Sequence, residues 1–337
     1  MKRYGDLYEK IISPENLYKA HINARRGKRW YKEVKAIEEN LPLAIRYLHE
    51  ILENKTYHTS DYDIFMRNDG VKQREIYKLP YYPDRIVHWA IIQVIEPILL
   101  GKLTADTYSA LPGRGVHYGL KRVQNDLTHD QKGTKYCLKL DVKKYYPSIN
   151  HDILKSIYRK IFKDKDLLWL LDEIIDSVPE DKGVPIGNYL SQYSGNIYLS
   201  EFDHWIKEVK HVKHYHRYMD DIVIFSNSKK ELHSLFHDIE GYLDKNLKLK
   251  IKENWQIFPT RVRGVDFLGY RFFGDYTLLR RRTATNLKVK MLKIANKNRI
   301  TQRDISVIAS YDGWIKHCDG YRLYEKYIQP LKERCSK

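Results

Sequence analysis

Two adjacent aspartates, Asp220 and Asp221, separate two short apolar segments, and this arrangement constrains the fold more than any other feature of the sequence. The segments at about 212–218 and 222–226, the second of which begins with an apolar run, predict two short strands joined by a tight turn. Hairpin turns favour Gly and Asn, so Tyr-Met-Asp-Asp is not the most favourable sequence for such a turn. The carboxylates reflect either the general preference of Asp for turns or a binding site at the tip of the hairpin.

A third carboxylate favours the binding site. Residues 135–141 alternate in polarity and predict a strand that ends on Asp141. Three carboxylates at strand ends suit phosphoryl transfer, in which two divalent ions about 4 Å apart activate the attacking oxygen and stabilise the leaving pyrophosphate. Carboxylate oxygens are preferred ligands of Mg²⁺. We therefore expect two Mg²⁺ ions at Asp141, Asp220 and Asp221, with Mn²⁺ able to substitute.

The charge of the chain indicates a polyanionic partner. The 337 residues include 60 Lys and Arg against 43 Asp and Glu, a formal net charge of +17. A strongly basic surface favours nucleic acid, although it also occurs as a solubility feature. The most apolar stretch, 86–100, is shorter than the roughly 18 residues of a membrane span. With no secretory signal and only three separated cysteines, we expect a cytoplasmic protein without a membrane segment.

Apolar periodicity predicts helices and strands in alternation along the chain. Residues 1–55 are expected to be helical, and residues 56–80 to form a hairpin around Asn68-Asp69-Gly70. Asp152 is expected to cap an amphipathic helix. The other predicted elements are helices at 81–100, Val116–Leu127 and Tyr189–Val209, strands between 247 and 280, and a helical, basic, tyrosine-rich segment from about 283.

Several blocks of the sequence resemble reverse transcriptases of the group II intron-like superfamily of bacteria and phages, in order and over nearly all of the chain. They are Arg74 with Pro80–Arg85, Arg114-Gly115, Leu140–Ile149, Tyr218–Asp221 and Gly264–Tyr270. The resemblance implies an α+β right-hand polymerase fold, with fingers and palm (an antiparallel sheet packed on helices) and a small helical thumb. It divides the chain into an N-terminal helical extension at 1–55, fingers and palm at 56–282, and the thumb at 283–337.

The resemblance also implies roles for individual residues. Asp141, Asp220 and Asp221 would be catalytic metal ligands, and the backbone carbonyl of Val142 would complete one coordination shell. Tyr146 falls where the family has an aromatic ring that excludes the 2′-hydroxyl of a ribonucleotide. The alternative is that Tyr146 is an ordinary core aromatic.

Other implied roles concern the nucleotide and the primer–template. Lys72 and Arg74 would hold the incoming triphosphate, and Lys78 is by charge an equal candidate for the place of Lys72. The remaining residues implied at the incoming dNTP are Lys144, Tyr145 and Gln192. Those implied at the primer and template are Tyr218, Met219, Leu268, Gly269 and Tyr270.

One block departs from the pattern of most reverse transcriptases. Where they carry Gln-Gly-x-x-x-Ser-Pro, this chain has Ile186-Gly187-x-x-x-Ser191-Gln192. The departure resembles the enzymes of diversity-generating retroelements, which copy a template RNA with errors at adenines and so diversify a target gene. Ile186 in place of the Gln amide removes a hydrogen-bonding group near the nascent base pair, which implies a fidelity role for Ile186 and Gly187. Alternatively, Ile186 is only a packing variant.

This resemblance implies several partners: template RNA, the cDNA–RNA hybrid, deoxynucleoside triphosphates, and a small basic accessory protein that forms a ring. Two other functions stay open. One is a reverse transcriptase of phage defence or of a retron, although the Asn-Ala-x-x-His and Val-Thr-Gly patterns of retron enzymes are missing. The other is an inactive nucleic-acid-binding scaffold. Trp255 stands where related enzymes often carry a Lys that acts as general acid, and Lys252 is a candidate for that role.

Overall fold

Helices and short antiparallel strands alternate along the chain in the computed structural model, which describes residues 3–68, 73–178 and 180–335. The helices are α1 (Tyr8–Ile12), α2 (Pro14–Ala24), α3 (Lys32–Glu39), α4 (Leu41–Glu53), α5 (Ile86–Leu100), α6 (Val116–His129), α7 (Tyr145–Ser148), α8 (His151–Ile161), α9 (Lys165–Asp176), α10 (Tyr189–Tyr198), α11 (Ser200–His204), α12 (Lys229–Leu247), α13 (Thr260–Arg263), α14 (Arg281–Ala295), α15 (Gln302–Ile315), α16 (Tyr321–Leu323) and α17 (Gln329–Cys335). The strands are β1 (Asp63–Asn68), β2 (Gln73–Lys78), β3 (Tyr136–Asp141), β4 (His214–Tyr218), β5 (Asp221–Ser226), β6 (Gln256–Pro259), β7 (Val265–Phe267), β8 (Tyr270–Phe272) and β9 (Thr277–Leu279). Wider helical turns lie at Tyr81–Arg85, Trp205–Val209 and Tyr324–Ile328.

One compact unit contains Met1–Ala105, Val142–Lys210 and Glu240–Ile251. Its core forms around α5, whose sequence is apolar on most faces and therefore becomes buried among other helices. Helices α2 and α10 pack against α5, and α8 packs against α10. Helix α10 is therefore held by both α5 and α8. This packing fixes the end of the loop that contains Ile186 and leads into α10.

The same unit carries a hairpin whose two strands pair with no other strand in the described part of the chain. Strands β1 and β2 are antiparallel, with Asp63 opposite Lys78. All six residues of β1 are exposed, including Ile64, Phe65 and Met66. The paired strands confirm the hairpin predicted for this segment, and its predicted turn lies partly outside the described residues.

The second compact unit contains Asp106–Asp141, His211–Ile239 and Lys252–Lys337. Its main sheet has the strand order β4-β5-β3-β6, and all neighbouring strands are antiparallel. A smaller sheet of β7, β8 and β9 joins α6, α14 and α15 around one apolar core. The ends of β3 and β5, where two of the predicted carboxylates lie, therefore belong to a single packed unit.

Two predicted helix boundaries are wrong. Asn150, not Asp152, caps α8, because its side-chain oxygen accepts a hydrogen bond from the backbone N–H three residues later at 3.1 Å. The helix predicted from Tyr189 to Val209 is broken after α10. There the Ser200 hydroxyl donates to the Ile197 carbonyl at 2.7 Å, and a serine bonded to the backbone in this way competes with the helical hydrogen bonds.

The region before β6 also differs from the prediction. Residues 247–255 contain an isolated bridge at Ile251 instead of a strand, because Lys248 adopts φ of 51°, which an extended strand does not tolerate. Helices α9 and α12 come in addition to the predicted elements. Among residues 3–68, 73–178 and 180–335, no helix combines the length and the apolar character needed to cross a membrane.

Candidate active site

Strand pairing brings two of the three predicted carboxylates directly opposite each other. In the antiparallel pair of β3 and β5, Asp141 is the Cα partner of Asp221. In the pair of β4 and β5, Tyr218 is the partner of Asp221, so Met219 and Asp220 form the turn between them. Directly opposed residues in an antiparallel sheet project to the same face about 4.5–5.5 Å apart at Cβ. The register therefore collects the three carboxylates at one edge of one sheet.

The turn that carries Asp220 has a strained backbone. Met219 adopts φ of 55°, a left-handed conformation that costs a non-glycine residue roughly 1 kcal/mol. A fully buried arginine holds it: the Arg217 guanidinium donates to the Met219 carbonyl at 3.1 Å and to the Thr107 hydroxyl at 3.3 Å. The Arg217 backbone N–H donates to the Asp106 carbonyl at 2.9 Å. Arg217 was not among the predicted site residues, and an arginine inside an otherwise buried strand is the signal that identifies it.

The carboxylates repel one another, and two lysines offset the repulsion. Partial burial, followed by the charge of Asp141, raises the pKa of Asp220, and burial raises the pKa of Asp221 to about 6. Lys252 Nζ donates to a carboxylate oxygen of Asp141. Lys139 Nζ lies 3.4 Å from Asp221 Oδ1. Lys139 is two residues before Asp141 on β3, so its side chain leaves the same face of the sheet.

The donor chemistry of these aspartates suits a hard divalent cation. The charge of Asp141 acts on Asp220, and Asp221 Oδ1 is buried with the Lys139 ammonium 3.4 Å away. The structure as described nevertheless contains no group of three His, Cys, Asp or Glu side chains arranged so that it could hold a metal ion. A role of the three aspartates as metal ligands therefore stays a prediction, supported by donor type and proximity.

Val142 follows Asp141 in the chain and belongs to the first unit. Its side chain is fully buried, and it forms an isolated antiparallel bridge with Ile251. Within the second unit, the Lys252 backbone N–H donates to the Asp141 carbonyl at 2.9 Å. The backbone beyond β3 is thus fixed by pairing, while the predicted carbonyl ligand remains a prediction.

Tyr145 and Tyr146, predicted at the incoming nucleotide, have different surroundings in the first unit. Tyr145 is buried, and its hydroxyl donates to the Gly195 carbonyl. Tyr146 is half-buried, and its ring lies so close to Gly195 that an added Cβ there would be 3.4 Å away. The glycine therefore leaves room for the ring of Tyr146. Tyr145 has a packing role, and Tyr146 keeps an accessible face.

The charged and polar residues predicted at the nucleotide are exposed where the structure describes them. Arg74 lies on β2 opposite Arg67. Lys144 is exposed with φ of 46°, and Gln192 is exposed on α10. Lys72 lies outside the described residues. Lys78 is the alternative to Lys72, and its Nζ lies 3.5 Å from Glu33 Oε1.

The Ile186-Gly187 block contacts the hairpin of the first unit. The Tyr77 backbone N–H on β2 donates to the Ile186 carbonyl at 3.2 Å. Gly187 has φ of 126°, and a Cβ at this position would lie 3.1 Å from the Tyr77 carbonyl oxygen. Only glycine fits this conformation and this approach without strain. The block thus joins the loop before α10 to the hairpin, and the Ile186 side chain is half-buried there.

The residues predicted at the primer and template lie in the second unit. Leu268 and Gly269, with φ of 55° and 85°, form the tight turn between β7 and β8. Tyr270 is buried, and its hydroxyl donates to the Trp314 carbonyl at 3.1 Å. Leu268 and Met219 are also buried, and Tyr218 is half-buried. In this group Tyr218 and Gly269 are half-buried, and the other three residues are buried.

Trp255 has a packing role. Its ring stacks on Phe236 with centroids 3.8 Å apart and an interplanar angle of 20°. Lys252, three residues earlier, is the lysine whose ammonium reaches Asp141. Two positions, 255 and 252, were considered for a lysine that acts as general acid. Of these, position 252 has an ammonium group next to a carboxylate of the site.

Comparisons with known proteins match the part of the chain that carries the three aspartates. The sequence model of the family described as "Reverse transcriptase (RNA-dependent DNA polymerase)" matches residues 67–272, which include all three aspartates. Protein YkfC of Escherichia coli K12 is 26% identical over 235 residues, 57% of this chain and 61% of YkfC. The retron Ec73 reverse transcriptase of Escherichia coli is 24% identical over 254 residues, 68% of this chain and 79% of that protein. The chain thus spans less than two thirds of YkfC.

Two solved structures show the fold. The telomerase of Candida albicans, in complex with a TWJ fragment of telomeric RNA, has a TM-score of 0.51 and 11% identity, covering 72% of this chain and 52% of that one. The telomerase of Candida tropicalis with the same kind of RNA fragment has a TM-score of 0.50 and 14% identity, covering 74% and 52%. The predicted right-hand polymerase fold, with helices and antiparallel sheets, is confirmed.

Proposed function

The chain belongs to the reverse transcriptase family, and from this premise we propose that it is an RNA-directed DNA polymerase. The observation that carries the proposal is the register of the main sheet. Asp141 and Asp221 are direct partners on β3 and β5, and Asp220 occupies the adjoining turn. Three carboxylates held by a packed sheet and a braced turn give the fixed positions that phosphoryl transfer depends on. Its substrates would be a template RNA, the growing cDNA–RNA hybrid and deoxynucleoside triphosphates.

In this proposal Asp141, Asp220 and Asp221 hold divalent ions, with the Val142 carbonyl as a further ligand. Bound Mg²⁺ would activate the attacking hydroxyl and stabilise the leaving pyrophosphate. Arg74 would bind the triphosphate, because its exposed guanidinium can form two hydrogen bonds to a phosphate. Lys252 Nζ, which contacts Asp141, is the proton donor that we propose for the leaving group. Residues 56–282 would be fingers and palm, and residues 283–337 the thumb.

The test of polymerase activity is Asp220→Asn, assayed by extension of a DNA primer on a defined RNA. We expect the rate to fall by roughly three orders of magnitude or more, because loss of a charged ligand weakens stabilisation of the transition state. Asp152→Asn is the matched control, since Asp152 is exposed in the first turn of α8. Near-normal primer extension by a folded Asp220→Asn protein would contradict the proposal.

Tyr146 is the residue that we propose to select the sugar. Its half-buried ring lies beside Gly195, and an aromatic face at the sugar excludes a hydroxyl by contact. Tyr146→Ala should raise ribonucleotide incorporation relative to deoxyribonucleotide by about 10- to 200-fold, the range for a steric contact in a pocket. Tyr145→Phe, which keeps the buried neighbouring ring and removes its hydroxyl, is the control. Parallel changes for both sugars would identify Tyr146 as a packing residue.

At a finer level, we propose the mutagenic reverse transcriptase of a diversity-generating retroelement, working with a small basic ring-forming accessory protein. The support is Ile186, an apolar side chain in a block where most of the family carries a glutamine. Its backbone joins the loop to β2 at Tyr77. The second candidate is another bacterial reverse transcriptase, of phage defence or of the retron type, and the similarity to the retron Ec73 reverse transcriptase supports it.

The error spectrum separates these two candidates. Ile186→Gln should lower misincorporation opposite template adenine by about 10-fold, the effect of one discriminating contact, and change errors at the other bases less. Ile186→Leu keeps the apolar character and is the control. Low adenine error in the natural protein, or an unchanged spectrum in Ile186→Gln, would assign the chain to the second candidate, the other bacterial reverse transcriptases.

A further inference from the structure

A lysine lies inside the main sheet of the second unit, next to the candidate active site. Lys139 is on β3, which has β5 on one side and β6 on the other, and its strand partners are Val223 and Gln256. Its side chain is only 26% exposed. Most lysines in folded proteins are exposed, and one enclosed to this extent needs partners that offset its charge. The groups around its ammonium therefore indicate its role.

The ammonium group of Lys139 lies between two oxygen atoms. Nζ donates a hydrogen bond to the backbone carbonyl of Asp266 on β7. The same Nζ lies 3.4 Å from Asp221 Oδ1. That carboxylate oxygen is out of contact with solvent. The nearby ammonium thus replaces the water that stabilises the charge of an exposed carboxylate.

The carbonyl that holds Lys139 belongs to a fixed part of the β7–β8 hairpin. Asp266 pairs with Arg271 on β8, and its carboxylate accepts a hydrogen bond from Arg280 Nε. The Arg280 backbone N–H donates in turn to the Gly269 carbonyl at 3.0 Å, in the turn of the same hairpin. The anchor of the lysine is therefore fixed by strand pairing and by Arg280, and the ammonium keeps a defined place beside Asp221.

The charge of Lys139 acts on the same carboxylate. Burial raises the pKa of Asp221, and the positive charge of Lys139 is the strongest influence in the opposite direction. The charge of Asp141 raises this pKa further, whereas the charge of Arg280 lowers it. A divalent ion bound to Asp221 would stabilise the carboxylate in the same way, and it would be repelled by an ammonium a few ångströms away. The lysine and the ion thus compete for one carboxylate.

We propose that Lys139 is a positioning residue whose ammonium group, anchored on the Asp266 carbonyl, serves as the counter-charge of Asp221 until a divalent ion takes its place. The divalent ion rests on the proposed function, whereas the counter-charge rests on the contacts of Lys139 alone. Coupling between two binding events is reciprocal, so an ion that Lys139 opposes also removes the stabilisation that Lys139 provides. Lys139 thereby sets how tightly the site binds the ion.

The first experiment measures thermal unfolding of the full chain at pH 8, with EDTA and without nucleic acid or dNTPs. Lys139→Met should unfold about 2–4 °C below the natural protein, because a buried carboxylate oxygen loses its counter-charge. Lys132→Met is the matched control, because Lys132 is exposed in the turn before β3. It should unfold at the temperature of the natural protein. An unchanged unfolding temperature of Lys139→Met would overturn the proposal.

Saturating Mn²⁺ separates this role from ordinary packing. With the ion bound, the difference between Lys139→Met and the natural protein should disappear, because the ion then stabilises the carboxylate in both. Lys139→Arg keeps the charge and should resemble the natural protein with and without the ion. A lysine with a merely structural role would lower the unfolding temperature equally in EDTA and in Mn²⁺, and that result would contradict the proposal.

The dissociation constant of Mn²⁺ measures the competition directly, and the EPR signal of the free ion reports it without nucleotides. It should fall about 10-fold in Lys139→Met, because loss of one positive charge lessens the repulsion of a cation and partial exposure of Lys139 screens the remainder of the effect. Lys132→Met should keep the natural value. An equal or larger dissociation constant in Lys139→Met, or no Mn²⁺ binding by either protein, would show that Lys139 and the ion do not compete.

Primer extension by Asp220→Asn separates this proposal from the proposed function. Loss of extension in Asp220→Asn, together with unchanged Mn²⁺ binding in Lys139→Met, would leave the polymerase assignment intact and remove Lys139 from the site. Extension by a folded Asp220→Asn protein would instead contradict the proposed function. In that case a lower unfolding temperature of Lys139→Met in EDTA would still identify the lysine as the counter-charge of Asp221.

Discussion

Two of the hairpins that contribute predicted site residues, β4–β5 and β1–β2, have strongly different surroundings. The hairpin of β4 and β5 is buried along almost its whole length and belongs to a four-stranded sheet. The hairpin of β1 and β2 forms a sheet of two strands, and nearly all of its residues are exposed. The first carries Asp220 and Asp221, and the second carries Arg74.

The difference separates two requirements of one reaction. Carboxylates that position reacting atoms need a backbone that does not move, and β4–β5 has one because Arg217 and the neighbouring strands hold it. A group that binds a ligand that enters and leaves can lie on an element with little fixed packing. An isolated two-stranded hairpin has marginal stability by itself. Apart from the backbone hydrogen bond between Tyr77 and Ile186, β1–β2 therefore has less to fix it than β4–β5. The following predictions compare the two hairpins, from the largest expected effect to the smallest.

Arg217→Met should have the largest effect, because it removes the guanidinium that braces the turn at Met219. We expect a loss of about 3 kcal/mol in the free energy of unfolding, from buried carbonyl and hydroxyl groups left without donors. Primer extension should fall about 100-fold, since a shift of about 1 Å in a catalytic group has this cost. Arg67→Met on β1 is the control and should change both quantities little. Denaturant unfolding and single-turnover extension give the two values.

The same isoleucine substitution in each hairpin tests the contrast in packing. Ile224 on β5 is fully buried, whereas Ile64 on β1 is 51% exposed. Ile224→Ala should destabilise the protein by about 2–5 kcal/mol, and Ile64→Ala by less than about 0.5 kcal/mol. The measurement is the denaturant midpoint at constant slope. Equal losses would mean that β1–β2 is packed as firmly as β4–β5, and the comparison would be wrong.

Arg74→Met tests the ligand-binding role of the exposed hairpin. The KM for dNTP should rise about 10-fold, or about 1.4 kcal/mol, with little change in the unfolding temperature. Arg67 is its direct partner in the strand pair, so Arg67→Met removes an equal charge from the same hairpin. A similar increase in KM for both variants would reduce the role of Arg74 to general electrostatics.

Local sequence patterns were sufficient for the strands and the carboxylates. Alternation of polarity predicts β3, and the two short segments on either side of Asp220 and Asp221 predict β4 and β5. The position of Asp141 at the end of β3 is consistent with its place beside Asp221. The sequence also allows a prediction of the pairing between Lys139 and Asp221, because Lys139 and Asp141 lie two residues apart on one strand and share a face.

Features that depend on distant contacts could not be predicted in this way. Arg217 is buried because Asp106 and Thr107, about 110 residues earlier, supply acceptors, and no local pattern specifies that pairing. The capping of α8 by Asn150 instead of Asp152 depended on which of two good capping residues lies before the first turn.

The smallest predicted effect is a pH dependence that only the buried hairpin has. His214 on β4 lies between two carboxylates of the second unit: Nδ1 is 2.9 Å from Asp126, and Nε2 is 2.9 Å from Asp130. The hydrogen bond with Asp126 raises the pKa of His214 above 6.5, against burial and with help from Asp130. Lys213 also pairs with Asp130, and His216 with Asp126.

Folding raises the pKa of His214, so its contribution to stability is complete at pH values below the unfolded pKa of 6.5. This contribution is lost as the pH rises through the higher pKa of the folded state. The free energy of unfolding of the natural protein should therefore fall by about 1 kcal/mol between about pH 6 and pH 9, which is the net contribution of one hydrogen bond. His214→Asn should lose less over the same interval. His129→Asn, an exposed histidine on α6, is the control and should keep the natural slope. Denaturant unfolding at several pH values gives the slope of each variant. Identical slopes for the natural protein and His214→Asn would show that the charge on His214 does not help to hold β4. The β4–β5 hairpin would then be fixed by Arg217 and apolar packing alone.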